Sequence, residues 1–522
     1  CRFRFAECNV ESHFRRKRKL LASEWSRRAQ ARSMVRMDLF FSCASRSVLV
    51  LLASVWARVS RAPWSSRRAS LALAWLAASL LTMQIGCTDE CDCNWVWDKQ
   101  LDFLWTAETT DLGQFYTGLV PAVTKATSLL ERMRKISISA PIKRRYMAEV
   151  RCLRAMWAYD LYDLYGTVPL ITDPDIALDP QKAQSYMPER PSIEWYVNFI
   201  DTELKEAEEN LKPASLLAAS EYGRMTKGIA QMYMLKLYMH EAGQERHYRN
   251  DEGKAMMWWN RVDSITEVMI KDGEYSLQKD YMSIWSPSNQ RNSEVIFPIP
   301  NFPEGGLGNC FLAHALPADY VSQNGIALTK WGGFLVPWDF YDTYDPKDKR
   351  RNALLATYWN GKKMVDRRTE YTGKPGAVPM KYQENPSTTG QWDASEYVIN
   401  RYAEVILARA EALNEIYGPT QEAKDLVHEI RERAFDNYKG SKYEKEINDI
   451  TDKDAFRAHL LKERGWEFCW EGMRRPDLIR HGELISNAIA RGKLMAEPKH
   501  ILYAIPQSVI YENPNLKNNE GF

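Results

Sequence analysis

The chain has 522 residues, 45% of them hydrophobic and 26% charged, with 26 Gly and 24 Pro. That is a globular composition, which excludes a disordered polymer, a collagen-like fibre and a small disulfide scaffold. A mean hydropathy of -0.47 excludes a polytopic membrane protein. The net charge of +2 hides a split: residues 1–70 carry 16 Lys and Arg against 4 Asp and Glu, and the rest carries 54 against 64. The body is mildly acidic, so no nucleic-acid partner is expected, since phosphate binding rests on clustered positive charge. Nine cysteines are scattered along the chain without a disulfide framework, and those of the body are expected as single buried thiols.

Residues 1–45 hold basic clusters such as Arg15–Lys19 without sustained apolar periodicity, and no fold is assigned to them. They read as an over-extended reading frame or, second, as a basic arm, with Met34 and Met37 as alternative starts. Arg61, Arg67 and Arg68 then precede an uncharged stretch, Ala69 to Gly86, whose densest apolar part is Leu71–Leu81. That part is shorter than a comfortable membrane span, and a basic flank, a short apolar run and a small residue make an export signal. Because Gly86 stands directly before Cys87, the segment resembles a bacterial lipoprotein signal with Cys87 as the acylated residue. Asp89, Glu90 and Asp92 follow, and such an acidic patch resembles the surface-export signal of Bacteroidetes lipoproteins. The expected organisation is a leader over 1–86, a tether over 87–113 and a single domain over 114–522.

Helical periodicity dominates the domain. Val150, Leu153, Trp157, Leu161 and Leu164 form one stripe at steps of three and four, with Gly166 and Pro169 as stop signals. Further helices are expected near 115–137, 191–211, 224–241 and 258–270. From Tyr402 to Phe435 two amphipathic helices flank Gly418-Pro419-Thr420, a 34-residue unit with the tetratricopeptide period. The predicted fold class is therefore mainly α, a tetratricopeptide-like helix-pair superhelix with few short strands. Between about 298 and 391 Gly, Pro, Asn, Trp and Tyr crowd together and helical stripes are short or absent. A long irregular insertion of this kind in a helical protein is expected to carry function.

Several short motifs then occur in one order. Arg154-Ala155-Met156 leads to Leu164-Tyr165-Gly166-Thr167-Val168-Pro169-Leu170; Gly223-Arg224-Met225-Thr226-Lys227-Gly228, Tyr275-Ser276-Leu277 and Asn292–Phe297 follow. Arg401–Val405, Ala410–Asn414, Glu463-Arg464 with Glu467, Asp477-Leu478, Ile505–Ser508 and Asn513–Leu516 complete the series. In this the chain resembles the SusD/RagB family of outer-membrane nutrient-binding lipoproteins over most of 115–522. The resemblance implies a surface-exposed, lipid-anchored outer-membrane protein that binds oligosaccharide without cleaving it. It also implies a SusC-like TonB-dependent transporter as partner, with the helical repeats as the partner surface, and no cofactor. Members usually carry a longer segment between the lipid-bearing Cys and the first long helix than the roughly 30 residues present here.

No P-loop, H-E-x-x-H, G-x-S-x-G or dinucleotide fingerprint is present. Glu463, Glu467 and Glu471 at four-residue spacing suggest a glycosidase pair, but carboxylates side by side on one helix cannot flank a sugar. Pairing with Arg464, Arg474 and Arg475 is the simpler expectation. Asp339, Asp342 and Asp345, with Asp348 beyond, lack the alternate-position ligands of a calcium loop, so a cation there is only a weak alternative. The remaining candidates are aromatics in irregular segments, because a sugar's C–H face stacks on a flat ring while polar neighbours bind its hydroxyls. Trp331, Phe334, Trp338, Trp285, Phe302 and Tyr341 are the expected ligand contacts, with Gly332 and Gly333 leaving room for close approach. A protein-only helical adaptor and a helical glycoside hydrolase are the rival readings.

Overall fold

Each long apolar stripe becomes a helix in the computed structural model, which describes residues 80–95, 98–301, 308–371, 373–388 and 390–522. Five long helices come first among the described residues: α1 Thr110–Lys135, α2 Ala140–Tyr165, α3 Ile193–Glu208, α4 Lys227–His247 and α5 Glu252–Asp272. Their starts follow from local chemistry: Ser192, Thr226 and Asp251 accept from the N–H groups of Trp195, Ile229 and Lys254, satisfying otherwise unpaired first-turn donors. Gly273 ends α5 in the left-handed region at φ 63°, where a Cβ would be strained. Successive helices pack on one another, α1 on α2, α2 on α3, α3 on α4 and α4 on α5. Within this stack α2 is buried all round from Ala148 to Tyr165, Arg151 excepted.

After α5 the chain leaves the stack along strand β1, Val295–Ile299, and returns antiparallel along β2, Tyr397–Arg401. Helix α6, Tyr402–Tyr417, begins on the next residue and packs back on α5. Thr420 then caps α7, Gln421–Ala434, by accepting from Ala423 N–H, and α7 packs on α6 as the second half of the predicted pair. Helix α8, Lys453–Phe468, also packs on α6, and the short α9, Arg474–Arg480, crosses α4. The architecture is mainly α, in antiparallel helix pairs, as the periodicity predicts. The irregular insertion is a loop closed at its base by the β1–β2 stem, between two helices that are neighbours in space. Inside it the described strands are only two or three residues long.

Helices α4 and α9 meet through a missing side chain. A Cβ at Gly243 would lie 2.6 Å from the Arg480 Cα, which belongs to backbone and cannot swing aside. Gly243→Ala is therefore expected to destabilise the fold by about 1–3 kcal/mol, overpacking outweighing the gain in helix propensity. A lower urea midpoint at unchanged slope would show this, and an unchanged midpoint would refute it.

The N-terminal expectations need correction. Residues 1–79 lie outside the described residues, but from 80 onward the supposed signal end and tether are part of the core. Met83, Ile85, Cys87, Cys91 and Cys93 are buried, as are Phe103 and Trp105. Gln84 donates to Asp163 on α2 at 2.5 Å, and Asp89 receives two hydrogen bonds from Arg474 at 2.7 and 2.8 Å. Glu90 accepts from the Trp470 backbone N–H at 3.0 Å. A lipid on Cys87 would need an exposed thiol and a cut after Gly86, whereas the residues on both sides of that bond pack inside. Cys87 is thus a core thiol whose pKa burial raises, and 87–113 is not a tether. Among the described residues, no helix is long and apolar enough to cross a membrane.

Candidate functional site

Three distant segments converge where two indoles stand half-buried. Asp92–Cys93 pairs antiparallel with Phe334–Leu335, and the next residue, Asn94, donates its backbone N–H to the Gly333 carbonyl at 2.8 Å. Trp331 N–H donates to the Ala313 carbonyl and Gly333 N–H to that of His314, fixing the 331–333 loop on a short helix, Phe311–Ala315. These bonds bring Trp95 and Trp331 to 6.4 Å between ring centroids, inclined by 62°, with His314 4.8 Å from Trp331 and 5.2 Å from Trp95. Gly333 is required here, since a Cβ would come within 2.4 Å of the Trp95 ring. The space that this glycine leaves is filled by Trp95 itself, not kept for a ligand. Packing among the rings desolvates His314 and pushes its pKa down to about 3, so the group is uncharged at neutral pH. An Asp92–Lys374 ion pair and the Asn94 side-chain amide, which donates to the Gly332 carbonyl at 2.6 Å, supply polar groups at its edge. Two angled, neutral aromatic faces with polar neighbours are suited to a ligand with apolar faces and hydroxyl edges.

The other expected contacts are placed differently. Phe334 is buried beneath the pair, against Trp95 and Trp470. Trp285 is also core: its five-residue 3-10 helix, Tyr281–Trp285, turns it inward, where Tyr382 abuts it and the Lys381 ammonium lies 4.8 Å from its ring. Trp338 and Tyr341 pack edge to face at 5.3 Å, but guanidinium groups cover both, Arg368 at 4.0 Å from Trp338 and Arg351 at 4.3 Å from Tyr341. Phe302 lies outside the described residues. Sequence reasoning missed Trp95 and His314. Trp95 stands in a short non-helical stretch within 87–113, and the expectation of a tether there gives its ring no packing partner.

The glutamate series is structural, with partners other than those expected. Glu463 binds Arg350 at 2.7 Å and Arg431 at 2.9 Å; Glu467 binds Arg350 at 3.0 Å, Arg401 at 2.6 Å and also Arg433; Glu471 binds Arg401 at 2.7 Å and also Lys381. Arg464, Arg474 and Arg475 pair instead with Asp477, Asp89 and Asp163. Burial alone would raise the pKa of Glu463 and Glu467, but the guanidiniums around them outweigh it and hold both far below the usual carboxylate range. Buried, ionised and fully paired carboxylates offer neither a proton nor access to a glycosidic bond. The aspartates also disperse: Asp342 pairs with Arg368, Asp345 with Lys442 and Tyr443, and Asp348 with Arg350, while Asp339 is exposed. The weak alternative of a cation at Asp339, Asp342 and Asp345 is therefore corrected, because these carboxylates do not converge. Among the described residues, no cluster of three or more His, Cys, Asp or Glu could hold a metal ion.

A stack of antiparallel helix pairs carrying one long irregular insertion defines a class of helical-repeat proteins, and the comparisons name the family within it. The SusD family model matches residues 263–522. SusD-like protein P25 of Formosa agariphila is 25% identical over 416 residues, covering 72% of each chain. Starch-binding protein SusD of Bacteroides thetaiotaomicron is 22% identical over 510 residues, covering 83% of this chain and 84% of that one. Surface glycan-binding protein A from Bacteroides thetaiotaomicron, solved in complex with laminarihexaose, superposes with a TM-score of 0.64 at 17% identity, covering 87% of this chain and 98% of that one. The chain belongs to the SusD/RagB family.

Proposed function

We propose that this protein binds oligosaccharides without cleaving them and hands them to a SusC-like TonB-dependent transporter at the outer-membrane surface. The observation that carries the reading is the Trp95–Trp331 pair, two half-buried indoles held at a fixed angle over a neutral imidazole. Support comes from the relatives, one named a starch-binding protein and another solved with laminarihexaose. The ion-paired state of Glu463, Glu467 and Glu471 argues against these residues as glycosidase carboxylates. The helical stack is the proposed transporter-facing surface. Holding ligand at the pore mouth raises its local concentration, so modest affinity suffices.

A panel of oligosaccharides titrated against the protein, beside a reducing-sugar assay, tests this directly. Binding without product release is expected. Trp331→Ala should weaken binding about tenfold, about 1.4 kcal/mol, with little change in Tm because the ring is only half-buried. Product release would establish a hydrolase. No affinity for any glycan would favour the protein-only adaptor. Full binding by both Trp331→Ala and Trp95→Ala would move the site elsewhere.

A further inference from the structure

A concavity lies in the helical stack, in the connection from α2 to α3. It is an open cavity of about 420 Å³ whose walls include Leu170, Ile176, Tyr186 and Trp195, with Asp173 and Glu189 among its polar groups. Most of the large aromatics in the described residues are buried, yet Tyr186 and Trp195 are each 40% exposed. Trp195 is not loose: it stacks parallel on Phe199, centroids 5.5 Å apart and planes within 1°, and Phe199 lies under the Arg154 guanidinium at 5.4 Å. The stacking on Phe199 holds the indole at the cavity wall.

The rim is also fixed. The C-terminal tail ties it down, Asn513 donating to the Pro188 carbonyl at 2.8 Å and Asn515 to that of Met187 at 2.7 Å. Arg190, the nearest cation in sequence, is already occupied by the Tyr165 carbonyl at 3.1 Å and by Asn519 at 2.6 Å. Among the described residues Glu189 forms no ion pair, so its carboxylate can accept hydrogen bonds from a ligand. A stacked indole, a second exposed aromatic ring, a preformed hollow and carboxylate acceptors match a ligand with flat C–H faces and hydroxyl donors. The two carboxylates would repel sulfate or uronate groups.

We propose that this cavity is a second binding site for a neutral oligosaccharide, with Tyr186 and Trp195 as its stacking surfaces and Asp173 and Glu189 as hydroxyl acceptors. The proposal rests on the reading of the chain as a glycan binder. A second, weaker site increases retention of any polymer long enough to reach both, without new contacts at the first.

The experiment uses the full chain, with maltoheptaose, laminarihexaose and a xyloglucan oligosaccharide as probes in calorimetric titration, and the matching polysaccharides in affinity gels. In the Trp95→Ala, Trp331→Ala background, residual binding at least tenfold weaker than wild type is expected. Adding Trp195→Ala or, separately, the exposed Tyr186→Ser should abolish that residue, and either change alone should reduce gel retardation several-fold. Tyr186→Ser keeps the test valid should Trp195→Ala disturb packing, which Tm would report. Residual binding unchanged by both substitutions overturns the second site while the first stands. Loss of transporter co-purification with unaltered sugar binding also overturns it, assigning the cavity to a polypeptide. Wild-type protein that binds no probe overturns both readings.

Discussion

Replacing Glu467 by Ala is expected to remove about 3–5 kcal/mol of stability, the loss typical of a buried ion pair deprived of one partner. Five acids, Glu294, Asp348, Glu463, Glu467 and Glu471, interlock with five bases, Arg350, Lys381, Arg401, Arg431 and Arg433, all with side chains at most 5% exposed. The groups come from the insertion, the β1–β2 stem and the residue before it, α7, α8 and the turn after α8, and Glu467 touches three of the guanidiniums. Its loss leaves a net positive charge where water cannot reach, and it loosens the joint between insertion and helical stack. Glu467→Gln, which keeps the shape, should cost less than the alanine and gives a folded variant if Glu467→Ala fails to fold. Urea denaturation of both variants reads the difference, and midpoints matching wild type would disprove the network's role. The pH dependence has a definite sign. A carboxylate whose pKa is lowered on folding contributes stability in full above its unfolded value of about 4.5 and loses it as pH falls below.

Glu90 is expected to act in the opposite direction. Burial, partly offset by the Arg474 charge and reinforced by that of Asp89, raises its pKa from 4.5 to about 8, and its Oε2 has no hydrogen-bond partner. The unfolded chain ionises near 4.5, whereas the folded chain keeps the proton to about 8. Stability from this group therefore falls as pH rises across that window, by roughly 1.4 kcal/mol per unit. Glu90→Gln keeps the acceptor for Trp470 N–H and removes the titration. It should match wild type in Tm near pH 5 and exceed it by several degrees near pH 8. A constant difference between the two proteins at all pH values would show that Glu90 does not titrate in this window.

The frame was legible because its signals are local. A stripe such as Val150, Leu153, Trp157, Leu161 and Leu164 reports one helix whatever lies elsewhere, and Thr420 or Gly273 marks an end through its own backbone. Burial was less legible. Trp285, Phe334, Trp331 and Trp338 all sit in irregular sequence, yet the first two are core and the other two half-exposed. Whether a ring in such a segment faces inward depends on what packs over it, and composition does not carry that.

The N-terminal error has the same cause. A short apolar run, a glycine and a cysteine followed by acids satisfy an export pattern and a packed entry to the core equally well. Only the partners, Asp163, Arg474, Trp470 and Tyr503, distinguish the two. The amino-acid order alone determined the helical stack, the place of its insertion and the family, since each depends on neighbours a few residues apart or on motifs in series. Tertiary structure alone decided which arginines neutralise Glu463, Glu467 and Glu471, and that Trp95 joins Trp331. Those pairings join groups far apart along the chain, and no local pattern encodes which of many distant candidates arrives within reach.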